Sequence, residues 1–223
     1  MFQLYQFPLC PYSRKVRLQL EEKSIAYQLV RESPWERRDE FLDMNPSGQT
    51  PVLADATLSL TLIDSKAIGE YLEETVERAP MIPGNVAARA EVRRLVAYFD
   101  EKFHGDVVSP LLHERAIKRI VHRLSPDAGI LRNAMKAAND HLDYIDYLVA
   151  SRRWIAGPLL SLADLACAAH LSVADYLGGI DWRGHDETLQ WYSGMKSRRS
   201  LRAVLADRME LVSPPDHYEK PDF

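Results

Sequence analysis

The run Cys10-Pro11-Tyr12-Ser13-Arg14-Lys15 constrains this chain more than any other stretch. It follows Phe2 to Phe7, an apolar run that reads as a strand. It precedes Val16, Leu18 and Leu20, which read as the buried side of a helix. Cys10 therefore stands where a strand hands over to a helix. Pro11 suits the first helical position, because the N–H it lacks would be unpaired there anyway. A helix start gathers free N–H groups and partial positive charge. With Arg14 and Lys15 adding to that field, the position favours a thiolate, the reactive form of cysteine. Ser13 occupies the place of the second cysteine in thioredoxin-like redox motifs, so a mixed disulfide at Cys10 has no resolving thiol within the motif. The alternative is a buried cysteine that packs as a small hydrophobe.

The elements that follow fit a small mixed domain. Residues 11–23 read as a helix and Ile25 to Val30 as a second strand, parallel to the first because one helix intervenes. Ser33-Pro34 breaks the chain, and Trp35 to Asn45 is a short polar helix or loop. After the Pro46-Ser47-Gly48 turn come strands at Gln49 to Leu53 and Leu58 to Leu60, close enough to be antiparallel. Asp64-Ser65 opens a helix with Ala67, Ile68, Tyr71 and Leu72 on one face. The order βαβ, α, ββα is the thioredoxin-like arrangement. Ala79 to Gly84 is rich in Pro and Gly, and beyond it only helical periodicity remains. Val92, Val96, Phe99 and Phe103 repeat every four residues, and Leu131 to Leu148 alternates at four and three. Ser161-Leu162-Ala163-Asp164 forms a capping box, with Leu160 and Leu165 placed as its staple. Leu165, Ala169, Val173, Tyr176 and Leu177 then bury one face. The class expected is α+β: a thioredoxin-like domain over residues 1–78, a linker over 79–85, an all-helical domain over 86–207 and a tail over 208–223.

Length and composition exclude several classes. The 223 residues, 46% of them hydrophobic, support a sizeable core, and a net charge of −4 gives no electrostatic footprint for nucleic acid. Two distant cysteines form no disulfide framework, so a reducing cytoplasm is expected. No charged segment leads into a long apolar stretch, which predicts a soluble chain without a secretion signal or membrane insertion. No His, Cys, Asp and Glu set has metal-ligand spacing, so no metal is expected. Asp164 reads as structural, Cys167 as core and His170 as a core or edge histidine. Arg115, Lys118, Arg119, His122 and Arg123 make a local basic face, either solvated or ready to meet an acidic partner.

Cys10-Pro11-Tyr12-Ser13, Asn45 to Leu53 and Asp64 to Ile68 together resemble the glutathione transferase superfamily, in order and in spacing. The resemblance implies a cis bond before Pro51. It implies that the Thr50 backbone pairs with the cysteinyl part of glutathione and that Asp64 and Ser65 hold its γ-glutamyl end. It implies a homodimer joining the helix after Asp64 to the helix after Asn85, with Arg89 and Arg93 facing Glu70 or Glu74 across the interface. Pro34-Trp35-Glu36 and the final residues, His217-Tyr218 through Asp222-Phe223, further resemble a glutathione-transferase-like group of bacterial cell-division proteins that bind FtsZ filaments as dimers. That resemblance implies no required cofactor, FtsZ filaments as partner, residence at the division site, and a partner surface at Trp35, Asp222 and Phe223, with Tyr218 as a further apolar anchor. The other reading is a cysteine-type glutathione transferase with thiol-transfer or reductase activity, in which Cys10, with Ser13 beside it, reacts and glutathione resolves the mixed disulfide. Tyr5 and Ser13 are the hydroxyls that a conjugating enzyme would use.

Overall fold

In the computed structural model, which describes residues 1–222, β1 (Phe2–Gln6) is an inner strand of a four-stranded sheet ordered β2-β1-β3-β4. It runs parallel to β2 (Tyr27–Arg31), with Leu4 opposite Leu29, and antiparallel to β3 (Val52–Asp55), with Leu4 opposite Leu53. β4 (Leu60–Ile63) closes the far edge against β3. Side chains alternate across a sheet. Leu4 and Leu53 accordingly share a small core with Val16 and Leu20 of α1 (Pro11–Glu22) and with Ile68 and Leu72 of α3 (Ser65–Thr75).

Strand boundaries differ from the sequence expectation, with β3 at Val52–Asp55 rather than Gln49 to Leu53, and local hydrogen bonds explain the later starts of β2 and β4. Ser24 takes a left-handed conformation and the Ile25 N–H returns to the Leu20 carbonyl at 2.9 Å, so residues 24–25 finish the end of α1 and β2 begins at Tyr27. Asp55 holds the Leu58 N–H at its carbonyl, 3.2 Å, and the Thr57 N–H at its carboxylate, 2.9 Å. That turn occupies the residues expected to begin β4. Between β2 and β3 the chain forms a 3-10 turn (Pro34–Glu36) and the short α2 (Asp39–Met44).

Every regular element after α3 is helical; among the described residues the later strand-like pairs are only the isolated bridges Trp154–Gly157 and Met209–Val212. α4 (Val86–Ala97) continues through a π-helical segment (Tyr98–Val108), α5 (Ser109–Leu112) and a second π-helical segment (His113–His122). α6 (Ala128–Ala150), α7 (Leu162–Tyr176), α8 (Asp186–Lys196) and α9 (Arg199–Leu205) complete the chain's helices. The sequence pattern allots α7 one buried face, but all fifteen of its residues are buried. α1, α4 and the Tyr98–Val108 segment pack around it, and Ala163, Ala166, Ala168, Ala169 and Ala174 leave room for close approach. A helix buried all round is the central rod of a core rather than an amphipathic cover.

The capping box at the start of α7 is present as expected. Ser161 donates from both its N–H and its hydroxyl to Asp164 Oδ2 at 2.9 Å. Asp164 Oδ1 also accepts from the Ile155 N–H, 2.8 Å, and from Trp191 Nε1, 3.2 Å. Cys167 and His170 lie in the core, both without solvent exposure.

The tail returns to the body. Tyr218 is 1% exposed, its ring stands edge-on to Tyr176 at 5.1 Å, and its hydroxyl accepts from Arg14 Nη1 at 2.9 Å. The sequence expectation of Tyr218 as a free anchor for a partner is therefore corrected: it is a core residue.

Candidate functional site

The sheet, the start of α3 and the Tyr98–Val108 segment meet around a cleft of about 670 Å³. Tyr12 lines it from α1, Asp64, Ser65 and Lys66 line it from the start of α3, and Asp100 and Glu101 line it from the Tyr98–Val108 segment. The loop from Asn45 to Pro51 supplies the remaining wall. Four residues singled out in the sequence, Thr50, Pro51, Asp64 and Ser65, thus share one cavity, although two separate segments carry them. The Thr50-Pro51 bond is cis.

Asp64 is the N-cap of α3. Its Oδ1 accepts from the Lys66 N–H at 2.7 Å and the Ala67 N–H at 3.3 Å. Its φ of 73° lies in a region that L-residues rarely adopt, and Asp is among the residues that tolerate it. The loop wall is held by Asn45, whose Nδ2 donates to the Gln49 carbonyl at 2.7 Å while its Oδ1 accepts from the Ser47 N–H at 3.1 Å and hydroxyl at 2.8 Å. Asn45 is a site residue that the sequence reading misses. An Asn before Pro-Ser-Gly is the signal that marks it, since Asn side chains bond the backbone two residues on.

Cys10 caps α1 and is 8% exposed. Its Sγ accepts from the Ser13 N–H at 3.4 Å, and its thiol donates to the Thr50 carbonyl at 3.4 Å. It therefore ties the strand–helix junction to the loop before Pro51, next to the cleft but not among the residues that line it. Ser13 is wholly buried, and its hydroxyl oxygen has no hydrogen-bond partner. Tyr5 lies on β1, with its hydroxyl near Gln3 Oε1 at 3.5 Å.

The charges expected to reinforce a thiolate are engaged elsewhere. Lys15 pairs with the buried carboxylate of Asp100. Arg14 donates to the Pro8 carbonyl and to Ser172 Oγ, both at 2.7 Å, as well as to Tyr218. What remains at Cys10 is the start of the helix itself.

Tyr12, two residues on, is the aromatic wall of the cleft. Its hydroxyl donates to the Asp100 carbonyl at 2.8 Å, and burial, with Asp100 nearby, pushes the phenol above its usual range. Behind it stand His104 and His170, with ring centres 4.9 and 5.5 Å from that of Tyr12. Burial pushes both imidazoles down, so both are neutral near pH 7. At the rim, Lys66 and Glu101 form an ion pair at 2.6 Å that bridges α3 to the Tyr98–Val108 segment.

Away from the cleft, Trp35 is half-buried and presents its ring edge to Phe7, centroid distance 5.2 Å. Asp222 is exposed, and Phe223 lies outside the described residues. Arg93 binds Glu70 at 2.8 and 2.9 Å within its own chain, the kind of acid that the sequence reading set it to meet across a dimer interface. The fold also brings together Asp143, Asp146 and His185, a set invisible in the sequence spacing. Both Asp146 oxygens are occupied there, Oδ2 by His185 Nδ1 at 2.7 Å and Oδ1 by the Thr188 N–H and hydroxyl at 2.7 and 2.6 Å, so the trio pins the start of α8.

The family model for the glutathione S-transferase N-terminal domain matches residues 9–75, the span that builds the sheet side of this cleft. The chain is 42% identical to the FtsZ-localized protein A of Caulobacter vibrioides over 99% of its own length and 97% of that protein's. It belongs to the glutathione S-transferase superfamily. Among solved structures of that superfamily's fold, a glutathione S-transferase from Rhodospirillum rubrum aligns over the full length of both chains, with a TM-score of 0.97 and 43% identity. FzlA from C. crescentus aligns over 100% of this chain and 99% of its own, with a TM-score of 0.96 and 42% identity. The thioredoxin-like half followed by helices is thus the glutathione S-transferase architecture. No helix among the described residues is long and apolar enough to cross a membrane.

Proposed function

We propose that this glutathione S-transferase-fold chain is an adaptor that binds FtsZ filaments as a homodimer and promotes constriction during bacterial cell division. It would act in the cytoplasm at the division site. The observation that carries this reading is the 42% identity, over nearly the whole of both chains, to a protein named for its localisation with FtsZ. Trp35 and Asp222 are the residues proposed to meet the filament, with Phe223 beside them. Trp35 is partly exposed, and Trp is a residue type that dominates interfaces. In a dimer each contact occurs twice, so two weak contacts bridge neighbouring filaments by avidity.

A second reading rests on the cleft. Thr50, Pro51, Asp64 and Ser65 line one cavity with the chemistry that glutathione requires. The Ser65 N–H, which the Asp64 cap leaves free at the start of α3, and the Ser65 hydroxyl suit the γ-glutamyl carboxylate. Both cap bonds fall on Asp64 Oδ1, which leaves Oδ2 for the ammonium. The Thr50 backbone suits the cysteinyl part. In a thiol transfer, the Cys10 thiolate attacks the glutathionyl sulfur of a mixed disulfide, forms Cys10–S–S–glutathione and releases the substrate thiolate. A second glutathione thiolate then attacks that bond, giving glutathione disulfide and restoring the Cys10 thiolate. For that step the Cys10 thiol must give up its bond to the Thr50 carbonyl.

Co-sedimentation with FtsZ polymer and glutathione calorimetry on the same preparation separate the two readings. The adaptor reading expects co-pelleting that glutathione does not alter. A chain that binds glutathione and stays in the supernatant is the transferase.

A further inference from the structure

The basic face noted in the sequence folds into one wall of a second groove, of about 730 Å³, remote in composition from the glutathione-type cleft. Arg115, Arg119 and Arg123 line it, about one helical turn apart along the His113–His122 segment and its C-cap. The other side is apolar and comes from Leu211 to Pro215, with Leu177 and Gly178 at the end of α7 between the two. The chain as a whole carries a net charge of −4, so this cluster is not a by-product of general basicity.

Three features set the groove apart from a solvated helix face. First, none of the three arginines pairs with a carboxylate among the described residues. Arg115 is half-buried, with Nη1 on the Leu177 carbonyl, and its desolvation lowers its pKa. Second, the acid in the wall is already neutralised, since Glu114 Oε2 takes Lys118 Nζ at 2.7 Å and the Asp127 N–H at 2.6 Å. Third, the rim exposes two large apolar side chains, Leu124 at 59% and Leu211 at 49%. Leu211 does so from a left-handed conformation, φ 65°, which is uncommon for a bulky residue. A leucine in the Met209–Val212 turn thus stands out to water beside arginines that no carboxylate engages.

We propose that this groove binds an extended acidic peptide segment of a protein partner, with acidic and apolar residues in alternation. Arg115 and Arg119 stand about one turn apart on the segment, and Arg123 follows at its left-handed C-cap, while alternate residues of an extended chain stand about 6.6 Å apart. Side chains of such a chain alternate in direction, so acids at every second position meet the arginine wall while the residues between them meet Leu211 and Pro214. Guanidinium groups suit carboxylates because their paired N–H donors match the two oxygens. The proposal concerns a surface separate from Trp35, Asp222 and the cleft, and it stands whether or not the chain binds FtsZ.

The test uses the full-length protein and two fluorescein-labelled nine-residue peptides of one composition. One alternates Glu and Val, and the other groups the glutamates in a block. Anisotropy at 50 mM salt is expected to show the alternating peptide binding at least fivefold more tightly than the block peptide. Binding is expected to weaken severalfold at 300 mM salt, where exposed charges are screened. Arg119→Glu with Arg123→Glu is expected to weaken the alternating peptide at least tenfold. Leu211→Glu, which alters the other wall, is expected to do the same. All three side chains are solvent-accessible, so an unchanged melting temperature verifies folding. Equal binding of the two peptides, or no loss in either variant, overturns the proposal. A single-stranded oligonucleotide of the same length that binds more tightly than the alternating peptide also overturns it, in favour of a nucleic-acid ligand.

Discussion

At Asp64 one carboxylate oxygen takes both cap hydrogen bonds, so capping and ligand binding can be separated by substitution. Asn is as good an N-cap as Asp and tolerates positive φ. Asp64→Asn is therefore expected to unfold in urea within about 0.5 kcal/mol of the parent, while Asp64→Ala loses about 1–2 kcal/mol. If the cleft takes glutathione, Asn weakens its binding in calorimetry without that stability loss. Equal destabilisation by the two changes would show that the cap is not what Asp64 contributes. Tyr218 poses a parallel question in the core. Its hydroxyl accepts from Arg14, a guanidinium with no solvent exposure. Tyr218→Phe leaves a buried charged donor without that partner, and equilibrium unfolding is expected to show a loss of about 1–3 kcal/mol. Asp64 was legible in the sequence because a cap is a local pattern. Tyr218 was not, because its partners, Arg14 and Tyr176, lie far away in the chain.

α7 shows the same limit for a whole element. Its start was legible, since a capping box is written in four consecutive residues. Its burial on every side was not, because periodicity registers a contrast between faces, and a run rich in alanine beneath three neighbours has none. The structure also gives Asp164 duties beyond the box, accepting from Ile155 and Trp191. Asp164→Ala removes the acceptor for four donors at once and is expected to destabilise by about 3–5 kcal/mol, the scale of breaking a buried charged network. Burial raises the Asp164 carboxyl to about 6, against the lowering effect of those hydrogen bonds. A folded-state pKa above the unfolded value means that the folded chain holds this proton more tightly. The contribution is full below about pH 4 and declines by about 3 kcal/mol as pH rises through 6. Carboxyl chemical shifts followed against pH should place the midpoint near 6; a midpoint below 4 would mean that the hydrogen bonds outweigh desolvation.

For the whole molecule, the glutathione S-transferase architecture was legible because three motifs with fixed order and spacing span the sheet half. The exposure of Trp35 was less so, since exposure is decided by what packs nearby. Trp35 has few apolar neighbours in sequence, yet Phe7, at the end of β1, receives its ring edge. This changes what its substitution can prove. Trp35→Ala removes a partly buried aromatic contact, expected to cost about 1–2 kcal/mol and to lower the melting temperature by roughly 2–8 °C for a chain of this size. A loss of FtsZ binding in that variant alone therefore mixes surface with stability. Asp222 is exposed, so Asp222→Lys is expected to leave the melting temperature unchanged. Light scattering at micromolar concentration is expected to give twice the mass of one chain for the parent and for both variants. The adaptor reading then requires Asp222→Lys to reduce co-sedimentation with FtsZ polymer at least severalfold while dimer mass and melting temperature stay at the parent values. Trp35→Ala must do so at a temperature where it remains folded. If the charge reversal co-pellets like the parent, the tail is not part of the filament surface. If the parent runs as a monomer, bridging by paired weak contacts fails whatever the affinity of each.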